Sequence, residues 1–163
     1  MDRQLMHTNE ALENTIKSYS DMVYRLAFAR VGNSFDADEI YQEVFLRLIK
    51  RRPHFTDEEH KKAWLIKVTI NCSKKFMCSI WNNRTEGLDG NVIFETKGDN
   101  DLHIELSKLK PDSRTLIHLY YYEDMKVAEI AQLLGRKEAT VRTQLSRARM
   151  ELKKYLNMDK TEL

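Results

Sequence analysis

The residues best placed to do chemistry lie between Arg136 and Lys154. Seven cations (Arg136, Lys137, Arg142, Arg147, Arg149, Lys153, Lys154) stand there against two acids, Glu138 and Glu151. Thr140, Thr143 and Ser146 are interleaved with them. Guanidinium, ammonium and hydroxyl groups hydrogen-bond to phosphate oxygens and to base edges in a DNA groove. The whole chain has 27 Lys/Arg and 25 Asp/Glu, a net charge of only +2, so this positive charge is concentrated rather than spread. Attraction to phosphates follows the local field and not the total.

The elements that must position these groups follow from periodicity. Val141, Leu145, Ala148 and Leu152 step by four, three and four, which predicts a helix with one apolar stripe. Thr140, Thr143, Ser146 and Arg147 then lie on the opposite face, flanked by Arg142 and Arg149. Val127, Ile130, Ala131 and Leu134 mark a second short amphipathic helix just before it, and Gly135 supplies the turn. Two helices in this order, the second cationic, form a helix–turn–helix able to enter a major groove. A solvated cationic face without a partner is the weaker reading, given the glycine turn and the small Ala131. Lys137 stands where a capping Ser, Thr, Asp or Asn is preferred, and its charge opposes the helix dipole. An incoming phosphate at that helix start is the expected compensation.

Upstream, the apolar periods of Tyr19 to Val31, Ile40 to Ile49 and Ala63 to Met77 predict three more helices. The first ends near Gly32. The second is capped by Ser34 or Asp36 and stops before Pro53. A polar loop, HFTDEEHKK, leads to the third. Pro111 marks a turn, and a further helix starts at Ser113. No sustained two-residue alternation occurs, so no sheet is expected. Residues 82–100, rich in Gly, Asn, Asp and Thr, read as a flexible linker in which Val92, Ile93 and Phe94 are unexpectedly apolar. The expectation is an all-α chain of two small domains, 1–81 and 101–163, joined by 82–100.

Composition excludes several classes. No apolar run reaches the roughly 20 residues of a membrane span, and the start lacks a signal-peptide segment, so direct membrane insertion is not expected and a cytoplasmic protein is. Cys72 and Cys78 form no Cys-x-x-Cys, and with His54 and His60 they match no common metal-site spacing. Neither metal nor other cofactor is expected. No carboxylate pair, metal-ligand set or Ser/Cys–His arrangement stands out, which argues against a nucleic-acid enzyme, and no small-molecule substrate is expected.

Three segments together resemble the extracytoplasmic-function group of bacterial sigma-70 family sigma factors. DADEIYQEVFLRLIK resembles region 2.2. HFTDEEHKKAWLIKVTINCSKK resembles the loop and helix of regions 2.3 to 2.4. LSKLKPDSRTLIHLYYYEDMKVAEIAQLLGRKEATVRTQLSRARMELKKYL resembles region 4. The resemblance implies a subunit that binds core RNA polymerase and promoter DNA, with an anti-sigma factor as a further partner. By the same resemblance Asp36, Asp38, Glu39, Gln42, Glu43, Leu46 and Arg47 would dock polymerase. Phe55, His60, Lys61, Lys62, Trp64, Lys67, Asn71, Lys74 and Lys75 would capture the melted −10 element, the cations on phosphates and the aromatics on bases. Trp64 also has a plain reading as a core residue, and Asn71 as the cap of a buried turn. Arg136, Lys137, Thr140, Arg142, Thr143, Ser146, Arg147 and Arg149 would read the −35 element. Relatives usually carry Ser at position 137 and often Gly at 139, where this chain has Lys137 and Ala139. Many continue with arginines past Cys78 and Ser79, where this basic run stops. A stand-alone helix–turn–helix regulator is the rival reading.

Overall fold

The computed structural model describes the backbone of residues 2–84 and 105–161, and the side chains of residues 9–80 and 105–157. Val92, Ile93 and Phe94 lie outside the described residues. Among those described there is no strand, and no helix is long and apolar enough to cross a membrane.

Helices α1 (Asp2–Val31), α2 (Ser34–Arg51) and α3 (Glu58–Arg84) pack against one another. Val23, Leu26, Ala27, Ile40, Val44, Leu48, Leu65 and Ile66 are buried among them. Helix α1 stops at Gly32, whose φ of +80° suits glycine and whose N–H donates to Phe28 O. The cap of α2 is Asn33, not Ser34 or Asp36. Asn33 Oδ1 accepts from Asp36 N at 2.8 Å, and Asn33 Nδ2 donates to the Asp36 carboxylate at 2.9 Å. Asp36 therefore serves as the reciprocal partner in the cap. At the other end Arg52, preceding Pro53, takes φ +44° and donates to Leu48 O.

The expected polar loop is shorter than its composition implied. Asp57 Oδ1 accepts from His60 N at 2.7 Å, and this side-chain cap starts α3 at Glu58, inside the charged run. Pro111 is likewise not the middle of a turn. It is the first residue of α4 (Pro111–Ile117), two residues before the expected start, where a missing N–H costs nothing.

Helix α4 runs into a π-helical turn, His118–Tyr122, and is followed by α5 (Val127–Leu134) and α6 (Glu138–Thr161). Val141, Leu145 and Ala148 of α6 are buried with Ile130 and Ala131 of α5, as the stripe required. Gly135 at φ +65° closes α5, and Arg136 N donates to Ala131 O at 2.9 Å. That six-to-one bond is a Schellman closure, and it sets the angle between the two helices.

The two helical groups are also in contact, chiefly α1 with α4. The seam is polar. Arg114 donates to Ala29 O at 2.8 Å and Arg30 O at 2.9 Å, two carbonyls in the last turn of α1, and also to Ser107 O and Leu109 O. Arg30 donates to Thr115 Oγ1 at 2.6 Å and to Ser73 Oγ. Both arginines are buried. Burial, with some help from Arg30, pushes the Arg114 guanidinium down to about 10, so it stays charged at neutral pH. A cation at the carbonyl end of α1 is favoured by the helix dipole.

Candidate nucleic-acid interface

Helix α6 presents its outer face as the spacing predicted. Thr140, Arg142, Thr143, Ser146, Arg147 and Arg149 are all exposed, and so is Lys137 just before the helix. Three of these groups have protein partners. Arg142 pairs with Glu138 one turn earlier at 3.3 Å, both exposed, an interaction weak enough for a phosphate to replace. Thr143 Oγ1 donates to Ala139 O. The Arg149 guanidinium lies 4.9 Å and 5.5 Å from the ring centroids of Tyr120 and Tyr121, which brace it without neutralising it. Arg136 differs from the rest. It is three-quarters buried and bound on two sides: Asp112 accepts from it at 2.9 and 3.1 Å, and Gln144 Oε1 at 2.8 Å.

Helix α3 brings most of its expected residues to one side. His60, Trp64, Lys67, Asn71, Lys74 and Lys75 fall at helical spacing, and all but Trp64 are exposed. Asn71 lies in mid-helix and caps no turn. Trp64 is half-buried, edge-on to Phe55 at 5.7 Å between centroids. Phe55 also meets the His60 ring at 5.5 Å and the Lys61 ammonium at 5.9 Å, so the loop before α3 is anchored by its aromatic residue. Trp64 and Phe55 both pack against the core with one part still solvent-facing. Lys61 pairs with Glu58 at 3.1 Å. Lys62 points away from the shared side, toward Glu123 beyond the π-helical turn, at 3.6 Å. Glu123 is held below the usual carboxylate range by the His118 ring facing it and, more weakly, by Lys62.

A third surface lies on α2. Asp38, Glu39, Gln42, Glu43 and Leu46 are exposed, while Arg47 is half-buried and paired with Glu43 at 2.9 Å. Two residues that sequence reasoning passed over belong here. Phe35 is 71% exposed and Ile49 41%, and with Glu39, Gln42 and Leu46 they recur at four, three, four and three. Phe35 at one end and Leu46 and Ile49 at the other thus share one exposed helix face with Glu39 and Gln42 between them. The four-three spacing of these residues is present in the sequence, with Phe35 directly before the acidic run DADE.

These surfaces define a helix–turn–helix protein that carries a second basic face and a separate exposed face of mixed apolar and acidic residues on α2. Residues 15–79 match the family described as Sigma-70 region 2, and residues 100–152 match Sigma-70, region 4. The chain is 32% identical over 147 residues to RNA polymerase sigma factor SigV of Bacillus subtilis (strain 168), covering 86% of this chain and 88% of that one. It is 26% identical to the ECF RNA polymerase sigma factor SigW of the same organism, covering 90% and 89%. Among solved structures, the sigma factor RpoE in complex with the anti-sigma factor NepR from Bartonella quintana shares the fold. Its TM-score is 0.78 at 18% identity, over 92% of this chain and 99% of that one. CnrH in complex with the cytosolic domain of CnrY gives 0.67 at 20% identity, over 93% and 90%. The chain belongs to the sigma-70 family of RNA polymerase sigma factors, in the extracytoplasmic-function group.

Proposed function

We propose that this chain is a dissociable initiation subunit that binds core RNA polymerase and directs it to promoters through a −35 and a −10 element. The observation that carries this reading is the coexistence of the exposed α2 face of Phe35, Leu46 and Ile49 with two cationic faces, on α3 and α6, in one chain of this family. The α2 face, with Asp38, Glu39, Gln42, Glu43 and Arg47, docks polymerase. Lys137, Thr140, Arg142, Thr143, Ser146, Arg147 and Arg149 take the −35 duplex. The α3 face, with Phe55 and Lys61, holds the −10 strand as it melts. Melting costs a few kcal/mol per unstacked base step, which stacking and phosphate contacts must offset.

The division into 1–81, 82–100 and 101–163 assigns −10 and −35 reading to separate units. Two elements roughly 25 base pairs apart lie about 85 Å apart along the duplex at 3.4 Å per step. Units in direct contact through Arg30 and Arg114 do not span that distance. Polymerase binding therefore separates them, and in that state Lys62 leaves Glu123 for DNA. An anti-sigma factor that covers the α2 face and the DNA faces is the regulator this reading calls for. The site of action is the cytoplasm, where polymerase and promoter are. No catalytic step is assigned to the chain; it works by binding.

The test is binding of the purified chain to core polymerase and to promoter duplex, separately and together. Submicromolar binding to core, with promoter preference appearing only in the mixture, is the expected result. Tight core-independent binding to a palindrome would instead establish the stand-alone regulator.

A further inference from the structure

The grip on Arg136 points to a role for it other than the one its charge implied. Its backbone completes the Schellman closure of α5 through Ala131 O, so its Cα is fixed by the turn itself. Its guanidinium forks onto both carboxylate oxygens of Asp112, the second residue of α4, at 2.9 and 3.1 Å. Nη1 also donates to Gln144 Oε1 on α6 at 2.8 Å. One residue thus ties together three helices: its side chain holds the start of α4 and the second turn of α6, and its backbone the end of α5.

Two physical consequences follow. A forked Arg–carboxylate pair is planar and directional, so it fixes orientation as well as distance. Gln144 sits one helical turn from Thr140 and Arg147, and holding it fixes the rotation of α6 about its own axis. Moving Arg136 to a phosphate would break both contacts and leave the Asp112 carboxylate facing DNA. The pairing already draws the Asp112 carboxyl below its ordinary range.

We infer that Arg136 is a positioning residue: the Asp112–Arg136–Gln144 bridge sets the angle and rotation at which α6 meets the −35 duplex, and Arg136 contacts no phosphate. This rests on the reading of α6 as the −35 helix.

The experiment measures affinity of the full chain with core polymerase for a −35-containing duplex and for one with that element scrambled, across a salt series. Arg136→Ala is expected to lower specific affinity about tenfold, the worth of roughly one good base contact. Binding to the scrambled duplex and the slope of log K against log salt should both stay unchanged. Asp112→Ala, which frees the guanidinium, should give the same loss and no gain. The reversed pair Asp112→Arg with Arg136→Asp should recover most of it, and Arg136→Lys only part. A slope reduced by about 0.9 in Arg136→Ala, with raised affinity in Asp112→Ala, would make Arg136 a phosphate contact and overturn the inference. Equal losses on both duplexes, in step with a lowered Tm, would overturn it too, leaving only a structural role. If the wild-type chain shows no −35 preference while Arg147→Ala changes nothing, the assignment of α6 itself fails, and the inference with it.

Discussion

Arg30 of α1 donates to Thr115 of α4 at 2.6 Å, joining residues 85 apart in the chain across the contact between the two helical groups. Around this bond the seam holds two buried guanidinium groups that donate to hydroxyls and main-chain carbonyls. Such a seam depends on every hydrogen bond being made, because a buried carbonyl left without a donor is costly.

Replacing Arg114 with Ala removes the donor for Ala29 O and Arg30 O. The expected loss is about 2–4 kcal/mol in urea unfolding, since the acceptors and the Arg30 cation remain buried. Thr115→Val deletes one hydroxyl at similar volume and should cost about 1 kcal/mol. Equal effects from the two would mean that Arg114 does not anchor the seam.

On α2 the expectation is the reverse. Phe35 and Leu46 are exposed, so Phe35→Asp and Leu46→Asp should change stability by no more than about 0.5 kcal/mol. Affinity for core polymerase should fall at least tenfold if they form the docking face, as titration of fluorescently labelled chain would report. Unchanged affinity in both variants would remove this face from the docking surface.

Lys137 precedes α6 at a place where a hydroxyl or carboxylate would cap free amides. Lys137→Ser should raise the stability of the free chain by about 1 kcal/mol and at the same time lower the salt slope of promoter binding by about 0.9. A gain in stability with no change of slope would mean that Lys137 does not meet phosphate.

The Asp112 carboxyl is held low chiefly by its hydrogen bonds from Arg136. A carboxyl whose native value is depressed stabilises the fold above its ordinary value of 3.8. That contribution is lost as pH falls through the lower native value. Asp112→Asn should therefore cost little more than a few tenths of a kcal/mol at pH 7, because Asp112 is half-exposed, and should flatten the stability curve below pH 3.8. A curve of unchanged shape would mean that the pair adds nothing to the free protein.

Much of this was legible in the sequence because it is periodic. The stripe of Val141, Leu145 and Ala148, the exposure of Thr140, Thr143 and Arg147, and the stop at Gly32 all follow from local rules. Asn33 was passed over because three neighbouring polar residues could each serve as the cap, and only the backbone angle decides among them. The Arg30–Thr115 and Arg136–Asp112 contacts had no local signature at all. Each pairs one polar side chain with another far along the chain, and neither period nor composition marks such a pair. Arg136 shows the consequence: in the sequence it is one more cation, and in the fold its charge is already taken.

The most direct measurement is run-off transcription by core polymerase on a library of promoter fragments, with and without this chain. The expected result is promoter-specific transcripts that require the chain, start a fixed distance downstream of paired −35 and −10 elements, and disappear with Leu46→Asp. Transcripts that do not depend on the chain, together with direct operator binding in the absence of polymerase, would contradict the assignment.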